Sequence, residues 1–377
     1  MSDLAKDSVA LHIAAALAPH REEALLARSA IDAICGSPAG QLPAAMTSLF
    51  GFECRLGRPE PVADFLLRTG AEPGEWPVLE RYAGRRKGEV WRRIVELLRR
   101  RAMPGSIFEA VLRNLWLEFD LADDSTAAAD PSVFFGSDSL VGGADTAWAE
   151  AIVALLQGAT ERLGRRPWFV RLVDALPASA RLFQVGVMCA RPCAPLRICV
   201  IGQELDAIAG FLLDARWPGD IAGVARYLKR IGPTIDHVAL DFDVTDDGGL
   251  LPRIGIELYQ AADQTLVRQQ PALIALLCED GLCLPGKAAA VLAWSGITHQ
   301  RRHPDLWPPA LLARREARNS TFCRWLHHVK VTLEADGAVE AKVYLAVAHA
   351  FLDDAVIREL IRQGEADPLK PVISPRF

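Results

Sequence analysis

The 377-residue chain has no apolar run of the roughly eighteen residues that a membrane-spanning helix needs. It has no Cys-x-x-Cys pair. Its cysteines (Cys35, Cys54, Cys189, Cys193, Cys199, Cys278, Cys283 and Cys323) are scattered among apolar residues, which reads as buried free thiols, with neither a disulfide framework nor a zinc site. It lacks a basic excess: the formal net charge is −5 and the pI about 6.0, against a nucleic-acid partner. The first twenty residues carry Asp3, Lys6 and Asp7 where a secretory leader would place a basic then an apolar stretch, so a cytoplasmic protein is expected. No Walker loop, Gly-x-Ser-x-Gly or His-Glu-x-x-His pattern occurs, so nucleotide binding and nucleophilic or zinc hydrolysis have no support from motifs.

What is present is a repeated order of elements. Apolar residues make up 51% of a chain longer than the roughly 250–300 residues at which single cores usually stop growing, so one large core or two domains are expected. Alternating segments come in pairs: 49–57 with 61–70, 114–121 with 131–136, 181–190 with 196–202, 237–244 with 253–259, and 327–334 with 339–349. Helical periodicity fills the intervals, as in "GEVWRRIVELLRRRA" (88–102) and "IAGVARYLKRIG" (221–232), whose arginines and lysines read as a solvated face. Short turns inside each pair make its strands antiparallel.

Within each pair one face is apolar: Leu115, Leu117 and Phe119; Phe183, Val185 and Val187; Val238, Leu240 and Phe242; Ile254, Ile256 and Leu258; Val329, Val331 and Leu333. Side chains alternate across a strand, so the opposite face collects Glu53 and Arg55; Trp116, Glu118 and Asp120; Gln184 and Met188; Arg197; His237, Asp241 and Asp243; Arg253, Glu257 and Tyr259; His328, Lys330 and Thr332; Glu340, Lys342 and Tyr344. His327 and His328 are neighbours on one strand, which assigns only His328 to this face, as a proton shuttle beside Lys330. One architecture that accommodates this pattern is an open sheet with one wet face. The other closes the sheet into a barrel whose polar face lines a lumen, removing the edge strands that about ten strands would otherwise expose. The mixture of Trp, Met, Tyr and paired carboxylates favours closure. The expected fold is therefore α+β: a single domain over 1–377, a closed antiparallel barrel of αββα units wrapped by helices. It has a helical segment at 1–45, an insertion loop at 298–320 and a tail at 366–377. His299 and His303, at i and i+4 in "HQRRH", lie in a proline-rich stretch and read as surface residues.

This arrangement resembles the ABBA fold of aromatic prenyltransferases. The residues carrying the resemblance are the Lys-x-Tyr pair Lys342 and Tyr344 in "AKVYLA", with Lys330 in "HVKV" and Arg197 and Arg253 on two further units. The resemblance implies a transferase of biosynthetic, secondary metabolism. An allylic diphosphate would be held in the lumen by Arg, Lys and Tyr, beside an aromatic or heteroatom acceptor. Glu118 is the preferred proton acceptor, with Trp116 flanking the acceptor, and Asp241 and His328 complete the catalytic candidates. Arg55, Glu257 and Tyr259 join the substrate-binding set. The carboxylates of "LEFD" and "LDFD" have three readings: Mg²⁺ ligands through Asp241 and Asp243, partners of the lumen cations, or recognition of a cationic group on the substrate. Two other functions remain open: a non-catalytic binding or scaffold protein, and a lumen enzyme of cyclisation or acid-base chemistry.

Overall fold

A computed structural model describes residues 7–18, 20, 23–121, 130–136, 147–158, 167–191, 195–244, 249–260, 269–312 and 318–358. The strands are β1 (Leu49–Arg55), β2 (Ala63–Thr69), β3 (Asn114–Phe119), β4 (Ser132–Gly136), β5 (Arg181–Val187), β6 (Leu196–Ile201), β7 (His237–Val244), β8 (Leu250–Tyr259), β9 (Gly296–His299), β10 (Asn319–Leu333) and β11 (Val339–Leu352). The helices are α1 (Val9–Ala16), α2 (Arg28–Gly36), α3 (Glu75–Ala83), α4 (Glu89–Arg101), α5 (Ile107–Val111), α6 (Ala147–Gln157), α7 (Pro167–Asp174), α8 (Ile208–Asp214), α9 (Ile221–Ile231), α10 (Gln269–Glu279) and α11 (Pro285–Leu292).

The strand order is β11-β1-β2-β3-β4-β5-β6-β7-β8-β10, and β10 also pairs with β11, so the sheet closes on itself as an antiparallel barrel. β9 is an eleventh strand laid on the first half of β10, where His299 pairs with Thr321. Antiparallel pairing puts the last residues of β1, β3, β5, β7 and β10 at one end of the barrel, the hairpin end, and the strand ends that lead toward helices at the other. Closure explains why the strands alternate in chemistry but not in burial. β1 is buried without interruption from Leu49 to Cys54, and lumen residues such as Asp241 (3% exposed) and Lys330 (4%) are as hidden as the helix-facing Leu240. An open sheet would have left them wet.

Outside the barrel, the apolar strand face meets the apolar helix stripes. Phe50, Phe52, Phe65 and Phe119 form a run of contacting rings that Trp294 joins. α4 turns Val90, Trp91, Ile94, Leu97 and Leu98 inward, each burial worth about 1.5–3 kcal/mol. Its arginines face outward and pair along the helix, Arg92 and Arg93 with Glu89 and Arg100 with Glu96. At α9 the Asp220 carboxylate accepts from the Gly223 N–H and caps the first turn, while Val224, Leu228 and Ile231 pack inward.

Two bulges change the sequence-based faces. One between Leu182 and Gln184 leaves Leu182 and Val185 facing the helices and turns Phe183 toward the lumen. Another between Leu326 and His328 brings His327 to the lumen beside His328. The extra residue of a bulge interrupts the two-residue period, so strict alternation misplaces both side chains. Of the expected insertion loop, Thr298 and His299 end β9, and Asn319 and Ser320 open β10, which is longer than the alternation alone indicated. The turn residues 122–129 and 245–248 and the tail at 366–377 lie outside the described residues.

Candidate active site

The lumen divides along the strands. Toward the hairpin end, charges pair across it. Arg197 forks onto Asp243 with Nε–Oδ1 and Nη2–Oδ2 distances of 2.7 and 3.2 Å, and Arg253 bridges the same Asp243 to Glu334, 2.6 Å from the latter. Arg191 forks onto Asp120 at 3.0 and 3.2 Å. Arg55 lies 3.7 Å from Asp64 and 3.9 Å from Glu340. Lys342 donates to Glu53 at 2.6 Å, and the Tyr344 hydroxyl donates to the other oxygen of Glu53.

Toward the helix-connection end lies a cavity of about 110 Å³. Leu66, Trp116, Phe134 and Phe183 supply apolar wall, and Glu118, Asp241, Glu257, Arg197 and Lys330 supply charge, with Tyr259, Tyr344, His327 and His328 between them. Two strand glycines make room for it. A Cβ on Gly186 would stand 2.3 Å from the Phe134 ring, and one on Gly255 2.6 Å from Lys330 Cε. These are positions where a bare backbone lets a neighbouring side chain cross the strand. Lys330 thereby reaches Asp241, to which it donates, and lies 3.8 Å from Glu257.

Of the sequence candidates, Glu118, Asp241, His328, Trp116, Arg197, Glu257, Tyr259, Lys330 and Tyr344 line this cavity. Arg55, Arg253 and Lys342 do not; they belong to the ion pairs beneath it. Asp243 is held there too, which bears on the reading of Asp241 and Asp243 as metal ligands. Asp241 and Asp243 share a strand face as expected, but Lys330 occupies one and two arginines the other. No group of three or more His, Cys, Asp or Glu side chains is arranged to hold a metal among the described residues. Oxygen ligands already committed to ammonium and guanidinium groups do not fit Mg²⁺, which needs several oxygens converging on one point. Sequence reasoning missed His327, Phe134 and Phe183: the first and third are displaced by bulges, and Phe134 sat in a strand whose two faces are both apolar.

The electrostatics follow from burial and pairing. Burial alone would raise Glu53, but Lys342 and the Tyr344 hydroxyl hold it well below the usual carboxylate range. Asp243 is likewise driven down by Arg197 and Arg253 against its burial. Glu118 makes no hydrogen bond among the described residues, and burial, with Glu53 nearby, pushes it up to about 7. Glu257 is pushed up to about 8 by burial and then by Asp241, although Lys330 and the Tyr259 hydroxyl, 2.5 Å away, oppose this. His327 and His328 touch through their Nδ1 atoms at 2.7 Å, and burial drives both down, His327 to about 4. His328 stacks on Tyr344 at 4.1 Å and is neutral near pH 7. The chamber therefore holds two carboxyls that exchange protons near neutrality, beside a fixed cation and an aromatic wall.

No protein-family profile matches the chain, and no curated protein does. Solved structures that resemble it include "6-dimethylallyl tryptophan synthase", 14% identical over 89% of this chain and 93% of that one, with a TM-score of 0.47. AnaPT from Neosartorya fischeri is 14% identical over 80% of this chain and 78% of its own, TM-score 0.47. The 5-dimethylallyl tryptophan synthase from Streptomyces coelicolor, solved in complex with DMASPP and Trp, is 13% identical over 89% and 92%, TM-score 0.44. By its own strand order and closure, this chain has the αββα barrel of the ABBA type that the element order implied.

Proposed function

We propose that the chain transfers a prenyl group from an allylic diphosphate to an aromatic or heteroatom acceptor within the lumen. The observation that carries this reading is the single chamber in which a buried lysine, Lys330, faces aromatic walls and a carboxyl, Glu118, poised near neutrality. Allylic ionisation needs a cationic surface for the leaving group, an apolar surface for the carbocation and a base for the acceptor's proton, in a site from which water is excluded. The C1–O bond breaks with its electron pair leaving on the diphosphate. The acceptor's electron pair forms the new bond to C1, and the displaced proton passes to Glu118 in its ionised form. Trp116 and Phe134 are the rings assigned to the cation. Lys330, Arg197, Tyr344 and, from the layer beneath, Lys342 are the groups assigned to the diphosphate.

A second reading has its own support. Each of the cations Lys330, Lys342, Arg197 and Arg253 is already engaged by a carboxylate, as in a barrel built to hold a ligand without ionising a diphosphate. Calorimetric titration with dimethylallyl and geranyl diphosphate, with and without Mg²⁺ and with inorganic pyrophosphate as control, separates the two. Prenyl transfer requires saturable binding that Lys342→Ala weakens by tenfold or more, roughly the worth of a charged hydrogen bond. Absence of binding under every condition removes it and leaves the non-catalytic chamber.

A further inference from the structure

The cavity's polar groups are not balanced in kind. Of its two cations, Arg197 has turned its guanidinium to Asp243, outside the cavity lining, and Lys330 gives its ammonium to Asp241. The carboxyls have more oxygen than the cations occupy. Glu118, 9% exposed, makes no hydrogen bond among the described residues. Asp241, 3% exposed, keeps Oδ1 buried without a hydrogen-bond partner, apart from the neighbouring Cys199 thiol. Of these, Glu118 is the carboxyl left open toward the cavity, and such an acceptor is costly unless something that enters the cavity donates to it. The rest of the wall also suits a cation, because the rings of Trp116, Phe134 and Phe183 line the same space.

We propose that the ligand selected by this chamber carries a protonated nitrogen, an amine or a guanidinium, seated against the Glu118 carboxyl with its apolar part among Trp116, Phe134 and Phe183. As an assignment of the acceptor this rests on the prenyl-transfer reading; as an assignment of the ligand it stands on the open Glu118 carboxyl and the aromatic wall. The groups facing Glu118 are Glu53, Asp120, Arg191 and Arg197. A cation arriving beside Glu118 favours its ionised form, so binding near pH 7 releases a proton. A diphosphate arriving in the same chamber favours the protonated forms and takes a proton up.

The test is calorimetric titration of the full-length protein, without any diphosphate, using benzylamine, phenylguanidine and the uncharged benzyl alcohol in two pH 7 buffers of different ionisation enthalpy. The expected result is that a cationic compound binds at least about tenfold more tightly than benzyl alcohol, with proton release. Glu118→Gln should abolish both the preference and the proton release while the thermal midpoint at pH 7 does not fall. Equal binding of amine and alcohol, a preference unchanged in Glu118→Gln, or no binding of any of the three would overturn the proposal. Binding of the amine by a protein that fails to bind dimethylallyl diphosphate would remove only the acceptor role, and with it the prenyl-transfer reading.

Discussion

The two halves of the lumen use the same residue types to opposite ends. At the hairpin end, Arg197, Asp243, Arg253 and Glu334 form a chain in which every charge has a partner, and Arg191 with Asp120 repeats the device on the other side. At the helix end, Glu118 and one oxygen of Asp241 lack such partners, and the wall between them is aromatic. A closed barrel buries both halves, so exposure alone does not tell structural ion pairs from a working site. The presence or absence of satisfied partners does. The paired half fastens the strands together, and the other half holds Glu118 and Glu257, two carboxyls that burial raises toward neutral pH.

The largest effect should come from Lys330→Ala. It leaves the Asp241 carboxyl almost fully buried without its cation, at a cost of about 3–5 kcal/mol, seen as a drop in the denaturation midpoint. Adding Asp241→Asn should restore most of that loss; a double variant as unstable as the single would mean that Lys330 acts through packing and that the Lys330–Asp241 pair has been misread. Glu118→Gln should act in the opposite direction and only at higher pH. The Glu118 carboxyl is raised from the ordinary carboxylate range to about 7, so the unfolded chain gives up its proton before the folded one does, and stability falls as pH rises from about 4.5 through 7. The variant lacks that loss. It should match the parent at pH 4.5 and exceed it by about 1–3 kcal/mol at pH 8, and a gain independent of pH would place Glu118 outside the electrostatic account. Arg253→Ala should have the smallest effect, about 1 kcal/mol or less, because Arg253 is partly exposed and Arg197 still holds Asp243. A loss as large as that of Lys330→Ala would erase the distinction between the two halves.

Much of this was legible in the residues. "HVALDFDV" occupies β7 from end to end, and the faces read from it, Val238, Leu240 and Phe242 against Asp241 and Asp243, are those of the folded strand. The two-residue period survives closure because it records the chemistry of each face even where both faces are buried. Lys330, Glu118, Glu257 and Tyr344 were recognisable for that reason. What alternation does not encode is an inserted residue: the bulges at Phe183 and His327 move single side chains into the chamber, with no change in composition to announce them. Partner choice was equally hidden. Asp241 and Asp243 look alike in sequence, yet in the fold one meets a lysine from β10 and the other arginines from β6 and β8. The proximity of Lys342 to Tyr344 was visible, but not that Glu53 would bind both.

A crystal structure of the protein grown with dimethylallyl thiolodiphosphate, an analogue that resists ionisation, tests the central claim most directly. The account predicts the diphosphate inside the chamber, with the Lys330 ammonium and the Tyr344 hydroxyl drawn onto its oxygens and the dimethylallyl group against Trp116 and Phe134. A chamber without the analogue at saturating concentration, with Lys330 still on Asp241 and Tyr344 still on Glu53, would contradict prenyl transfer in this lumen.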